Sequence, residues 1–183
     1  SYTDSRYYNV GGGTGRFDAT QSCASLPNVN ELSWYCMYGD PHWDGDELWT
    51  AMGHLYKGGM WFKKKSVLQT EGHYNTEFSA DGTTDARTIS TTNYTNTSSS
   101  ILSSVPSANA GNYFYLPALG YYYLGQLYFS NSGRNGYYWS SSAYQYDNSL
   151  AYMLDFSVSN VTVSFGSRDH GYRAQKFSDF GDN

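Results

Sequence analysis

The sequence predicts a single α+β domain in which two helices precede a run of antiparallel strands. Three features predict it. Apolar residues between positions 27 and 57 recur at helical spacing. From Tyr113 onward, short aromatic and β-branched runs are separated by Gly, Ser and Asn turns. A length of 183 residues suits one domain better than two.

Taken in order, residues 1–16 are polar and end in Gly11-Gly12-Gly13-Thr14-Gly15, the pattern of a flexible lead-in from upstream domains of the same polypeptide. The first helix is expected from about Pro27-Asn28 to Gly39, with Glu31 in its first turn and Val29, Leu32, Tyr35 and Cys36 on one face. A second is expected over residues 44–57. Asp44, Asp46 and Glu47 would sit at its positive end and Gly58-Gly59 would stop it. Leu48, Trp49, Met52, Leu55 and Tyr56 would form its core stripe. Lys63-Lys64-Lys65 reads as a solvated strand end. Residues 79–112 are rich in Ser, Thr and Asn and read as a long loop.

The strands expected next are Phe114-Tyr115-Leu116, Gly136 to Ser142, Ala151 to Phe156, Val161-Thr162-Val163 and Gly171 to Phe177. In the third, Tyr152, Leu154 and Phe156 alternate with Ala151, Met153 and Asp155. One set would be buried and the other presented. Residues 178–183 form a tail.

Composition narrows function mainly by exclusion. A net charge of −5 provides no basic field, which argues against nucleic acid as a partner. No apolar stretch approaches the roughly 20 residues of a membrane-spanning helix, and no signal peptide is legible. Cys23 and Cys36 are too few for a disulfide framework, and either a bridge or two small buried side chains fits them. Twenty tyrosines are the strongest clue, twelve of them after residue 110. Tyr with Ser, Gly and Asn is the vocabulary of paratopes, because Tyr offers wide amphipathic contact for only two side-chain torsions.

Several motifs carry a family resemblance. They are Tyr115-Leu116-Pro117-Ala118-Leu119-Gly120-Tyr121, Gly136-Tyr137-Tyr138-Trp139-Ser140-Ser141-Ser142, Ala151 to Phe156, Arg168 and Gly171-Tyr172-Arg173. Together they resemble C-type lectin-fold domains of bacterial and phage surface proteins, above all the variable proteins of diversity-generating retroelements. Gly39-Asp40-Pro41-His42-Trp43-Asp44 and Met52 to Trp61 are similar to the gut-bacterial or phage branch. The likeness spans roughly residues 17–177. It implies a C-type lectin-like domain, two helices on a twisted antiparallel sheet, with a variable region over about residues 120–172. In such proteins a reverse transcriptase rewrites template adenines, and the resemblance implies that ligand-contacting codons diversify here in the same way.

The resemblance implies that the ligand-binding positions are Tyr122, Tyr123, Leu124, Tyr128, Phe129, Ser130, Tyr144, Tyr146, Asp147, Asn148, Met153, Asp155, Ser157, Ser159, Ser164, Phe165, Ser167, Asp169 and His170. Tyr123, Tyr128, Tyr144 and Tyr146 are the expected hot spots. Trp139, Ser140, Ser141, Arg168 and Arg173 are expected to be scaffold. The Glu-Pro-Asn or Gln-Pro-Asp loop and Trp-Asn-Asp strand of calcium-dependent sugar sites are missing, so no calcium-dependent lectin activity is implied.

Catalytic signatures are also missing. There is no Gly-x-Ser-x-Gly elbow, phosphate loop or dinucleotide fingerprint. The acidic run Asp40 to Glu47 does not meet EF-hand spacing, and His54 has no helical partner His. Formylglycine-generating oxidases share a Gly-aromatic-Arg like Gly171-Tyr172-Arg173, but use a late cysteine pair that this chain lacks. The expectation is therefore a non-enzymatic module without metal or cofactor. It would recognise a protein or glycan outside the cell, on a bacterial surface or virion. A fixed-specificity adhesin or pilus-tip domain, or a structural assembly domain, are the alternatives.

Overall fold

Helix α1 (Val29–Tyr38) begins where the sequence supplies both halves of a capping box. Asn28 Oδ1 accepts from the Glu31 amide at 3.0 Å, and the Asn28 amide donates to Glu31 Oε2 at 2.8 Å. Gly39 ends it. Its amide donates to the Tyr35 carbonyl at 3.0 Å, and a Cβ there would lie 2.2 Å from that oxygen. Val29, Leu32, Tyr35 and Cys36 are all buried, as their spacing predicts.

In the computed structural model, residues 19–20, 23–51, 53–89, 93–105, 107–128 and 134–177 are described. The expected lead-in at 1–16 and tail at 178–183 lie outside them, as do Phe129 and Ser130. The strands form three antiparallel sheets. Strands β1 (His42–Ala51), β2 (His54–Lys63) and β4 (Tyr113–Pro117) make one, in the order β1-β2-β4. Strands β3 (Tyr94–Asn96), β7 (Gly136–Ala143), β8 (Leu150–Phe156) and β9 (Val161–Ser167) make another, in the order β3-β9-β8-β7. Strands β5 (Tyr121–Tyr123) and β6 (Gln126–Tyr128) form a separate hairpin. The fold is thus α+β, with two α-helices among the described residues, the second being the short α2 (Lys65–Thr70).

Helix α1 packs against the four-stranded sheet. One core joins its apolar face to Met60 and Phe62 of β2, Phe114 and Leu116 of β4, Leu154 and Phe156 of β8, and Val161 and Val163 of β9. Each such side chain contributes roughly 1.5–3 kcal/mol on burial. The segment over residues 79–112, expected as one long loop, contains β3 and two short 3-10 helices, Ser99–Leu102 and Ser107–Asn112, and is pinned from α1 near its start. Asn30, fully buried, donates to the Glu77 carbonyl and Asp85 Oδ1 and accepts from the Ala86 amide at 2.8 Å.

The expected helix over 44–57 is instead the β1–β2 hairpin. Ala51 pairs with His54, leaving a two-residue turn with Gly53 at φ +79°. Trp49 and Tyr56, seven residues apart, look like two helical turns in sequence. Around a turn at 52–53 the same spacing makes them a cross-strand pair, their rings stacked at 4.8 Å. Leu48 and Leu55 from the supposed core stripe are exposed. Asp44 caps no helix, yet its carboxylate does equivalent chemistry. Oδ1 accepts the amides of Asp46 and Glu47, both at 3.0 Å, where β1 bulges out of register. Gly58-Gly59 is not a helix stop. Gly59 lies in β2 beneath Tyr115, whose ring would be 2.5 Å from any Cβ there.

Other expectations also change. Lys63 ends β2, but its ammonium is paired with Glu71 at 2.7 Å rather than simply solvated. The segment 171–177 is not a strand. Gly171 exchanges hydrogen bonds with Tyr122 of β5, and Arg173 with Tyr137 and Trp139 of β7, so the segment bridges two elements and extends neither. Cys23 and Cys36 are not bridged. Cys36 is buried, its thiol donating to the Val161 carbonyl at 3.4 Å, and burial pushes its pKa up to about 12.

Candidate ligand-binding face

Alternation along the four-stranded sheet determines what lies on each side of it. In β7, Tyr138 points into the core and Tyr137 and Trp139 point away. Register then sets Tyr137, Asp155 and Thr162 in one row across the sheet, and Trp139, Met153 and Ser164 in the next. Tyr172, carried by the bridging segment, lies over this outer face. Its ring centroid is 4.4 Å from Trp139 and 5.2 Å from Tyr137. Gly166 of β9 makes room for it, since a Cβ there would approach Tyr172 Cε2 to 2.6 Å.

The β5–β6 hairpin extends this aromatic floor. Tyr121 stands edge-on to Tyr137 at 5.3 Å and to Tyr172 at 5.6 Å, and stacks on Tyr128 at 5.5 Å. Tyr123 stacks on His170 at 4.5 Å, their planes 11° apart. His170 also reaches Tyr121 and Tyr172. Seven rings, those of Tyr121, Tyr123, Tyr128, Tyr137, Trp139, His170 and Tyr172, therefore form one continuous array. None belongs to the buried core. Edge-to-face and offset pairs of this kind add about 0.5–1.5 kcal/mol each beyond area burial and hold the rings in place.

The hairpin tip is Leu124-Gly125, with Leu124 79% exposed and in the left-handed region at φ +47°. A branched side chain there costs of order 1 kcal/mol in backbone strain. Asp169 places a carboxylate at the border of the face. Hydrogen bonds from Ser167 and His170 hold the Asp169 carboxyl below the usual carboxylate range, with His170 Nδ1 at 2.9 Å from Oδ1. Asp155 behaves oppositely. Burial raises its pKa and the Ser164 hydroxyl, donating at 2.6 Å, only partly offsets this. Burial also pushes the Tyr172 phenol up to about 12, so it offers a neutral donor at neutral pH.

The expected binding positions thus divide. Tyr123, Tyr128 and His170 join the array, Leu124 flanks it at the hairpin tip, and Asp155, Ser164 and Asp169 border it, whereas Tyr122 alternates to the other face of the hairpin. Met153 is a correction. It is on the outer side by alternation, but at 6% exposure it is covered, lying between Trp139 and Ser164 in a row beneath the Tyr172 segment. Tyr144, Tyr146 and Phe165 form a second, separate cluster. Tyr144 stacks on Phe165 at 4.2 Å and touches Tyr146 at 5.5 Å, and Phe165 pairs with Tyr152 on the core side of the sheet. Asp147 and Asn148 lie in the β7–β8 turn, where Asp147 accepts from Ser149 and the Asn148 carbonyl accepts from Arg168. Ser157 and Ser159 occupy the β8–β9 turn, and the half-buried Ser167 ends β9, accepting from the His170 amide.

Tyr121, Tyr137, Trp139 and Tyr172 were not among the expected binding positions, and Trp139 was assigned to scaffold. The period-two alternation of Tyr137, Tyr138 and Trp139 carried the signal for two of them. Tyr172 had none, because it reaches the face only through the crossing of two elements. Ser140 and Ser141 are buried in β7, as scaffold residues would be. Arg168 also fits that assignment, its guanidinium donating to the Asn148 carbonyl at 2.9 Å. Arg173 contributes only backbone bonds to β7, its guanidinium reaching Gln175 instead.

A Ser–His–Asp row is present elsewhere. His42 Nε2 lies 3.2 Å from Asp40 Oδ2, and Nδ1 lies 3.2 Å from Ser103 Oγ. Nδ1 is nearer, at 2.8 Å, to the Ser103 carbonyl, an acceptor that obliges it to carry a proton. The Ser103 hydroxyl meanwhile donates to the Ser100 carbonyl at 2.8 Å. The row therefore holds no nucleophile–base pair in this arrangement.

Compared with protein-family models, curated proteins and solved structures, the chain matches none.

Proposed function

We propose that this chain is a binding module rather than an enzyme, that its fold is C-type lectin-like, and that it presents the array around Tyr121 and Tyr172 to a protein or glycan ligand. The observation that carries the reading is the array itself. Seven aromatic rings pack on the outside of a sheet whose other side already buries a full core. Rings held by one another and by a sheet lose little entropy on contact, which is what a paratope requires. Helix α1 packed on a four-stranded sheet, with long loops and a separate three-stranded sheet, supports the C-type lectin-like assignment alongside the sequence motifs.

Diversification by a retroelement accounts for the distribution of the exposed positions. Tyr123, Leu124, Tyr128, Asp169 and His170 converge at one edge, on top of a floor made by Tyr137, Trp139 and Tyr172, while Tyr122 is exposed on the other face of the hairpin. In this reading the floor is fixed and the edge varies. The module belongs on a bacterial surface or a virion, attached to upstream domains.

The test is a binding comparison against surface glycans and surface proteins of candidate target cells. Tyr123→Ala and Tyr128→Ala should each weaken a ligand by about 2 kcal/mol if central. Tyr146→Ala, in the separate cluster, should leave it unchanged. A ligand sensitive to Tyr146 and indifferent to Tyr123 and Tyr128 would move the site off this face.

A further inference from the structure

Asp169 and His170 lie where the chain leaves β9 for the β5–β6 hairpin, and their backbone is held on both sides. The His170 amide donates to the Ser167 carbonyl at 3.0 Å, and Gly171 exchanges bonds with Tyr122 of β5 at 2.7 and 3.0 Å. The imidazole is thereby laid flat on Tyr123, with centroids 4.5 Å and planes 11° apart. Tyr121 and Tyr172 stand tilted beside it, at 5.3 and 5.6 Å. With Tyr123 on its face, the imidazole offers polar contact through its edge.

Asp169 sets the polarity of that edge. Bonds from the Ser167 hydroxyl and the His170 ring hold its carboxyl below the usual carboxylate range, so it can only accept. Its Oδ1 lies 2.9 Å from His170 Nδ1, which must then be the nitrogen that carries a proton. In the neutral ring, Nε2 is left as a lone pair. No group among the described residues donates to it. Among those residues, the buried side-chain polar atom left without a partner is Gln145 Nε2, so the His170 lone pair is open to the surface.

We propose that His170 Nε2 accepts a hydrogen bond from a hydroxyl of a pyranose seated on the tyrosine array, with Asp169 as the positioning residue that fixes the tautomer. The inference rests on the binding-face reading and narrows its ligand to a glycan. Positions 169 and 170 vary in that reading, so the pair sets this chain's own specificity. The partly exposed rings of Tyr121, Tyr123 and Tyr128 offer apolar surface to the C–H face of a sugar, and one placed acceptor orients it. An anionic ligand would meet the Asp169 carboxylate, while the guanidinium groups of Arg168 and Arg173 are already bonded to the Asn148 carbonyl and Gln175. A cationic side chain gains little, because Asp169 already shares its charge with Ser167 and His170. A metal ion would need further ligands, and no group of three His, Cys, Asp or Glu able to hold one occurs among the described residues.

The test reads tautomer and ligand separately, on the whole chain with ¹⁵N-labelled histidine. At mildly alkaline pH, long-range ¹H–¹⁵N correlations of the free chain should show His170 protonated at Nδ1. Asp169→Ala should shift it toward the Nε2–H form. The binding probes are methyl pyranosides of galactose, glucose, mannose and N-acetylglucosamine, with Nα-acetyl-lysine amide and Nα-acetyl-tyrosine amide as peptide surrogates. At least one pyranoside should shift His170 Nε2 and the Tyr123 and Tyr128 ring resonances saturably. Asp169→Ala should weaken that pyranoside about two- to tenfold, the loss of one hydrogen bond. His170→Phe, which keeps a ring on Tyr123 but no acceptor, should do the same. Unchanged core resonances in both variants would confirm the fold. An Nε2–H tautomer in the free chain overturns the proposal whatever binds, as does a pyranoside indifferent to both substitutions. Absence of any pyranoside shift also overturns it, and array shifts with the amides alone would leave the binding face standing.

Discussion

Gly166 of β9 lies directly under the ring of Tyr172, so that a Cβ at 166 would stand 2.6 Å from Tyr172 Cε2 and 2.9 Å from its hydroxyl. The ring has little freedom to yield, since Tyr137, Trp139, Tyr121 and His170 surround it. Gly166→Ala should therefore displace Tyr172 and loosen the aromatic floor. The near-ultraviolet circular dichroism should change clearly, with a stability loss of about 1–3 kcal/mol, as for an overpacked site. An unchanged spectrum would mean that Tyr172 does not rest there.

The Asn28–Glu31 capping box starts the helix on which the core is built. Asn28→Ala should cost about 1 kcal/mol, a fall of roughly 2–4 °C in the melting temperature for a domain of this size. Asn28→Ser should recover most of it, since the serine hydroxyl accepts the same amide. Equal losses for Ala and Ser would show that the side chain matters for another reason, such as its bond to the Thr76 carbonyl.

Asp155 is expected to make stability depend on pH. Burial raises its carboxyl pKa in the folded chain, so the folded state holds the proton more tightly than the unfolded one. Its contribution is present at pH below the unfolded value and is lost as pH rises through the folded value. Above that range the buried, charged carboxylate weighs against folding. Asp155→Asn, which still accepts from Ser164, should raise the melting temperature at neutral pH and lose that advantage under acid conditions. Thermal melts across the acid-to-neutral range would show a pH-independent difference if the carboxyl were not perturbed.

Leu124 occupies a left-handed conformation that a branched side chain adopts at a cost. Its side chain is exposed and contributes little to the core. Leu124→Gly should therefore be neutral or stabilising by up to about 1 kcal/mol, while weakening any ligand that the hairpin tip touches. Calorimetry and binding on the same variant separate the two effects. A clear loss of stability would mean that the leucine packs against something.

What sequence could reveal followed the range of the forces involved. Helix α1 was legible because its cap, periodicity and stop are local. Strands β4, β7, β8 and β9 were legible from aromatic and β-branched runs. The β1–β2 hairpin was not. Its turn at 52–53 lacks the usual Asn-Gly or Asp-Gly signal, and cross-strand pairing of Trp49 with Tyr56 imitates a helical repeat. Of the expected binding positions, Tyr123, Tyr128 and His170 are brought together by the fold. The sequence also grouped Tyr144, Tyr146 and Phe165 with them, because nothing local says that these lie on the other side of the sheet. Met153 misled for the same reason, since alternation gives the side of the sheet but not what covers it.

The most direct test of the binding-face account is deep sequencing of this gene's 3′ region across its natural population. The account predicts substitutions concentrated at Tyr122, Tyr123, Leu124, Tyr128, Asp169 and His170, traceable to adenines in a nearby template, with Trp139, Gly166 and Tyr172 spared. A uniform region, or changes spread evenly over the array floor and the core, would contradict it and leave at most a binder of fixed specificity.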